Sequence, residues 1–277
     1  MINFKIGFVL INFNNAVYTR QAIDSLSAQP GRNNCIVVIV DNGSEKMDVD
    51  KLAEIKKDYP SIHIYNNRSN VGYFNGLNIG IRYLRENVSG LNYVVVGNND
   101  LVFPPDFISS IYDNLKIINK YAVIAPNIIT LDGIHQNPHA IKKLSKFREI
   151  LLDLYHVNYY LAKVMYKIGV ATKKYTSRKD QEQHEIAQTI HQGFGACYIL
   201  GPLFFSHFES LWAPTFLMGE ELFLSQQLTS KGLSIYYEPS IIVKHHYHAT
   251  IDNVPDKKRW EISRESHRIY RKYVKIF

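Results

Sequence analysis

Over its first 130 residues the chain alternates between unbroken apolar runs and stretches of helical spacing. Ile6 to Ile11, Cys35 to Val40 and Tyr93 to Val96 show no polar alternation, the pattern of strands buried on both faces. Ile62 to Tyr65 predicts a shorter strand. Between them, Ala22, Ile23 and Leu26, and then Val49, Leu52, Ile55 and Tyr59, recur at helical spacing, the second series stopped by Pro60. Gly72, Gly76 and Gly80 thread a further helical stretch from Val71 to Arg85. Strand, helix, strand, helix, strand predicts a doubly wound α/β half domain. A helix over Ile108 to Asn119 and a strand over Ala122 to Ala125, closed by Pro126, are expected to follow.

Three predicted strands end in polar clusters: Asn12 with Asn14, Asp41 in Asp41-Asn42-Gly43-Ser44, and Asn98-Asn99-Asp100 before Pro104-Pro105. Each alone reads as a turn or helix cap. Parallel neighbouring strands would bring all three to the carboxyl edge of one sheet, where open α/β folds bind their ligands. Asp100 with flanking amides suits a hard divalent cation that shares a substrate's phosphates. The glycines match neither G-x-G-x-x-G nor G-x-x-x-x-G-K-[ST], which disfavours a Rossmann dehydrogenase or a P-loop enzyme; their spacing of four suits close helix packing.

The pattern changes over residues 135 to 190. Ile150, Leu151, Leu154, Leu161, Val164, Met165 and Ile168 recur at helical spacing among tyrosines, surrounded by Lys142, Lys143, Lys146, Arg148, Lys163, Lys167, Lys173 and Lys174. This predicts an amphipathic helical insert, with contact to anionic lipid as the alternative. Strand-like character resumes at Gly193 to Leu200 and again at Ser234 to Pro239. Between them Glu220 and Glu221 open a helix behind an aromatic stretch, where a carboxylate that loses solvent reaches a general base's working range. His245, His246 and His248 cluster after the last strand. The tail from Pro255 interleaves eight Lys and Arg with Trp260, Ile269, Tyr273 and Ile276, predicting a basic helix.

Composition narrows the class. The 277 residues are 46% hydrophobic and 21% charged, enough for a full core and unlike a disordered chain. A net charge of +7 favours anionic partners. Because the positive charge lies in the insert and tail rather than at the strand ends, nucleic acid is not expected as a partner. Cys35 and Cys197 form no metal spacing and are expected as buried thiols in a reducing compartment. With no leader pattern and no apolar run of 18 residues, a cytoplasmic protein is expected, at most peripheral at the inner face of the plasma membrane.

The order of these motifs resembles the family 2 glycosyltransferases of the GT-A fold, in particular the rhamnosyltransferase-like branch of bacterial polysaccharide biosynthesis. Carrying the resemblance are Val9 to Asn14, Val40 to Ser44, Asn70-Val71-Gly72 with Asn78-Ile79-Gly80, Asn98-Asn99-Asp100, Glu220-Glu221, Pro239 and His245. It covers residues 6 to about 130 and 192 to 250. The fold implied is an α/β, Rossmann-like, mostly parallel central sheet flanked by helices, with a helical insert and a basic C-terminal helix. Its expected divisions are 1–130, the nucleotide-sugar half; 131–191, the insert; 192–250, the acceptor and catalytic half; and 251–277, the basic helix.

The resemblance also implies roles. Asn12, Asn14, Asp41, Asn70, Gly72, Asn78, Asn98 and Asn99 would bind the nucleotide-sugar. Asp100 would hold Mg2+ or Mn2+ with His245, or with His246 in a shifted register. Glu221, beside Glu220, would be the base that deprotonates the acceptor. The donor would be dTDP-rhamnose or a UDP-sugar and the acceptor a glycan or lipid-linked glycan of O-antigen or capsule assembly, with inversion. Outside the resemblance, the basic and aromatic pattern of 142–174 and 255–277 gives membrane-surface contact as a separate expectation. Asn98 stands where the family's first Asp of Asp-x-Asp lies, which removes one charge from the metal site and makes a catalytically inactive nucleotide- or glycan-binding relative the alternative. Glu221 replaces an Asp. A sugar-phosphate nucleotidyltransferase is disfavoured, because Asn12 to Asn15 has neither glycine nor a basic residue.

Overall fold

The computed structural model describes residues 4–172, 179–246 and 256–275. Lys173, Lys174, His248, Pro255 and Ile276, singled out above, lie outside them. One nine-stranded sheet organises the chain. Its first half comprises β1 (Lys5–Asn12), α1 (Ala16–Ser27), β2 (Cys35–Asp41), α2 (Lys46–Asp58), β3 (His63–Asn66), α3 (Tyr73–Asn87) and β4 (Leu91–Asn98). These four strands lie side by side in the order β3-β2-β1-β4, all parallel. The unbroken apolar runs are explained by this layering. Phe8, Leu10, Val37, Ile39 and Val95 pack on one face beneath Ile23, Leu26 and Leu52; Val9, Val38, Val40, Val94 and Val96 pack on the other beneath Phe74, Leu77 and Ile81. Each such side chain fully withdrawn from water contributes roughly 1.5–3 kcal/mol.

The glycine spacing of four has a steric cause. A Cβ on Gly76 would stand 2.2 Å from Cδ1 of Ile11, and one on Gly80 2.3 Å from Cγ1 of Val9. One bare stripe of α3 therefore lies directly on β1, and its first turn is fixed relative to the strand ends.

The second half contains β5 (Leu101–Val102), α4 (Phe107–Asp113), α5 (Leu115–Ile118), β6 (Val123–Thr130), α6 (Lys146–Tyr155), α7 (Tyr159–Ala171), β7 (Gln188–Ile190), β8 (Cys197–Leu200), α8 (Pro202–Phe205), α9 (Glu220–Thr229), β9 (Ile235–His245) and α10 (Asp256–Tyr273). Here the pairing is mixed: β8 lies antiparallel between β4 and β6, β9 runs parallel to β6, and β5 and β7 pair antiparallel with β9. Three expectations need correction. Pro126 does not close its strand. β8 pairs with β6 only at Val123 and Ile124, and the register with β9 jumps from Pro126–Glu238 to Asn127–Ile242, so the ring sits at a bulge that needs no N–H. For the same reason β9 runs past Pro239 to His245. The helix expected over 108–119 is interrupted at Asn114.

α10 is docked rather than free. Its Trp260 donates to the Tyr155 carbonyl at 3.1 Å, and its Arg271 reaches Glu149 and Asp153 of α6 at 2.8 and 2.6 Å. Ser266 donates to the Leu217 carbonyl at 2.7 Å. Cys35 and Cys197 are buried free thiols; burial pushes the Cys35 thiol up to about 11 and the Cys197 thiol higher. No helix among the described residues is long and apolar enough to cross a membrane.

Candidate functional site

The parallel registers Asn12–Asp41 and Ile11–Asn98 bring three strand ends level. Asn12, fully buried, joins them. Its amide donates to Asp41 at 3.0 Å, Ser44 at 3.1 Å and Asp48 at 2.8 Å, and its oxygen accepts from Thr19 at 2.9 Å and Asn99 at 3.0 Å. With both ends of the amide taken, Asn12 is a strut between strands, not a group offered to a ligand. Asn99 plays a similar part, its amide donating also to the Asn15 carbonyl and Thr19. Asp41 accepts from Asn12 and, at 3.3 Å, from the Ser44 N–H. Asn14, exposed at φ 56°, a conformation that asparagine tolerates, accepts from the Glu45 N–H at 2.8 Å. The sequence reading missed Thr19 and Asp48. Asp48 also caps α1 through the Ala16 N–H at 2.8 Å, but in sequence it looks like an ordinary first-turn acid.

Asn42, overlooked beside Asp41, builds the adjoining wall. It donates to Asn70 at 2.9 Å and to the Gly72 carbonyl at 3.1 Å, and accepts from the Val71 N–H at 3.1 Å. Gly72 has φ +92°, and a Cβ there would lie 2.2 Å from the Phe216 carbonyl oxygen, which accepts from Tyr73 N–H at 3.0 Å. The close approach ties the start of α3 to the loop before Glu220. Asn78 is not part of this wall. One and a half turns further along α3, its amide pairs both ways with the Leu211 backbone at 2.8 Å.

Asp100 is buried, and its Oδ1 lies 3.2 Å from Nε2 of His245 without a hydrogen bond. Gln136, absent from the sequence reading, presents its carbonyl oxygen to His245 Nδ1 at 2.8 Å; that nitrogen is therefore a donor, and Nε2 is left facing Asp100. Asn98 Nδ2 stands 3.5 Å from the same Nε2. Two electron-rich atoms at this spacing match neighbouring corners of an octahedron with bonds of about 2.1 Å, so the pair fits a divalent ion completed by oxygens from a substrate. Among the described residues no cluster of three or more His, Cys, Asp or Glu side chains is suited to a metal. His246, the alternative register, points the other way because side chains alternate along a strand; its ring packs on Tyr18 at 5.0 Å.

Glu221 reaches this edge through Gly195, whose N–H it accepts at 3.2 Å, while the neighbouring Ala196 carbonyl accepts from Asn98 N–H at 3.0 Å. Glu220 is buried with Oε1 unpartnered; loss of solvent and then the charge of Glu221 push its carboxyl up to about 8. Tyr73, donating to the Gly195 carbonyl at 2.7 Å, is held well above the usual phenol range by burial first, and then by Cys197, Glu220, Glu221 and Asp100. The acids from both halves of the chain thus converge on one hydroxyl. A carboxylate able to take a proton and an Asp–His pair able to hold a cation, both at one sheet edge, are chemically suited to group transfer from an anionic leaving group.

The chain belongs to glycosyl transferase family 2, whose sequence description matches residues 8–191. It is 30% identical over 149 residues to the dTDP-rhamnosyl transferase RfbF of Shigella flexneri, covering 53% of this chain and 47% of that protein. An uncharacterized glycosyltransferase of Rickettsia typhi is 26% identical over 149 residues, covering 54% and 44%. The matched region thus spans about half the length of these relatives. The fold is shared with the mannosyltransferase PcManGT from Pyrobaculum calidifontis, solved with GDP-Man and Mn2+, at TM-score 0.57 and 12% identity over 96% of this chain and 62% of that one. It is shared also with GalNAc-T7, solved with UDP, GalNAc and Mn2+, at TM-score 0.59 and 13% identity over 91% and 45%.

Proposed function

We propose that the chain transfers a sugar from a nucleotide-diphosphate sugar to a hydroxyl of a glycan or lipid-linked glycan, with inversion, in cell-surface polysaccharide assembly. The observation that carries this reading is the buried, unbonded Asp100 oxygen beside His245, set at the same sheet edge as Glu221. The 1–130 half would hold the nucleotide on Asp41, Asn14 and the Asn70–Gly72 loop, with Asn12 and Asn99 fixing the strand ends. The 192–250 half would supply the acceptor side. Mg2+ or Mn2+ on Asp100 and His245 would neutralise charge on the departing diphosphate. Glu221 takes the proton from the attacking hydroxyl, while Glu220, whose carboxyl is pushed up to about 8 by burial and by Glu221, is set to keep its own proton at neutral pH and so takes none. The kinship with a dTDP-rhamnosyl transferase supports dTDP-rhamnose as the donor, with UDP-sugars next.

A thermal-shift series with UDP, dTDP, GDP and CMP, each with and without Mn2+, tests the donor site. dTDP is expected to raise Tm, and Mn2+ to raise it further. No shift with any nucleotide would support the inactive relative instead.

A peripheral membrane contact at the cytoplasmic face is part of the same reading. Phe147, Tyr160 and Tyr166 of α6 and α7 are 68%, 80% and 68% exposed, among Lys143, Lys163 and Lys167. Co-sedimentation with phosphatidylglycerol vesicles but not with phosphatidylcholine vesicles is the expected result; equal recovery with both would sink the contact.

A further inference from the structure

α3 and α9 begin at the candidate site, with Gly72 and Glu220, and pack on the same face of the sheet through Leu77, Ile81, Leu224 and Leu228. Between their outer faces lies an open cleft of about 1310 Å³, floored by residues 207–213. That floor is held from both sides. Asn78 of α3 clamps the Leu211 backbone, while Gln227 of α9 accepts from Trp212 N–H and donates to the Ser210 carbonyl, both at 2.9 Å. Trp212 is thereby fixed, half-buried, with its ring edge-on to Phe223 and Tyr273 at 5.2 and 4.7 Å. Arg82 and Gln226 face the same cleft, and their side chains have no hydrogen-bond or ion-pair partner among the described residues.

We infer that this cleft binds a neutral oligosaccharide: the part of the acceptor glycan that lies beyond the reacting sugar. The inference rests on the glycosyl-transfer reading and extends it from the reacting hydroxyl to the rest of the acceptor. A rigid aromatic ring offers a surface to the C–H face of a pyranose, and an unpaired guanidinium and amide offer planar donors to neighbouring hydroxyls. The cleft's fixed charges balance, Arg82 and Arg85 against Glu86 and Glu209, which disfavours an anionic polymer. Its axis follows α3 from Asn75, one turn from Gly72, to Glu86, a span of about 16 Å at the helical rise. A ligand lying there therefore leads away from the site along the flank.

The test is to screen the full chain on an array of neutral bacterial oligosaccharides, titrate the best binder, and repeat with Trp212→Ala and Arg82→Ala. Each variant is expected to weaken binding by about tenfold, with the dTDP thermal shift unchanged. Arg82 is exposed, so its variant stays informative if Trp212→Ala disturbs folding. Binding equally tight in Arg82→Ala and Trp212→Ala, or no oligosaccharide bound by protein that still responds to dTDP, would overturn the inference. So would a dimer in light scattering that Arg82→Ala dissociates, which would give the cleft to a second copy. Loss of the dTDP response in the wild type would instead remove the donor reading on which the inference rests.

Discussion

Glu221→Gln is expected to lower glycosyl transfer by about 10²–10⁴-fold, the range lost with a positioned general base, while dTDP still raises Tm as in the wild type. Gln keeps the carbonyl oxygen that accepts from Gly195 N–H, so the start of α9 and the loop before β8 retain their contact. What it lacks is a lone pair basic enough for the acceptor's proton. Glu220 is a poor substitute: burial, the larger cause of its raised carboxyl, persists when the Glu221 charge is removed, and the backbone at Gly195 receives Glu221, not Glu220. Single-turnover measurement with saturating donor separates chemistry from product release. Turnover within a few-fold of wild type would remove Glu221 from the reaction.

Asp100→Ala carries the second large effect, and its signature is split between activity and stability. Transfer is expected to fall by about 10²–10³-fold, comparable to removing one preorganised group that stabilises developing charge, and the additional Mn2+ shift in Tm should vanish. The ligand-free protein, however, is expected to melt at the wild-type temperature or above. Asp100 Oδ1 is buried without a hydrogen bond, 3.2 Å from His245 Nε2, so deleting it relieves a buried polar atom that no donor satisfies. A residue that merely held the fold would behave in the opposite way. A Tm several degrees lower without ligand would show that Asp100 is structural.

The strands of the first half were legible because burial on both faces leaves an unbroken apolar run, and Val38 or Val94 has nowhere polar to point. Polar strand ends were legible for the same reason, as abrupt departures from that run. Register supplied what the sequence could not. Asn12 looks like a ligand contact until its five hydrogen-bond partners are seen, and those come from α1, α2, β2, the turn after β4 and the loop at Ser44. Thr19, Asp48 and Gln136 carry no local signal at all: each matters only through a residue distant in sequence. Asn78 misled because its motif position is right while its helix face points to Leu211. The choice between His245 and His246 was a matter of strand alternation, open in sequence until the pairing of His245 with Leu101 was known. In the second half, Pro126 and Pro239 read as terminators, since a bulge that spares both rings depends on the partner strand.

The docking of α10 has a consequence for how the molecule is made. The parallel strands β1 to β4 find one another within the first hundred residues and can assemble while synthesis continues, β4 gaining its antiparallel neighbour β8 later. The loop that delivers Glu220 and Glu221 is different, because Leu217 is held by Ser266, and Trp212 is braced by Tyr273, both translated some 50 to 60 residues later. A nascent chain therefore assembles the proposed donor half first and seats the proposed proton acceptor only once α10 has been made. On the proposed reading, termination before α10 would leave the loop before Glu220 without its Ser266 and Tyr273 contacts, and the order of translation itself would delay chemistry until α10 is made.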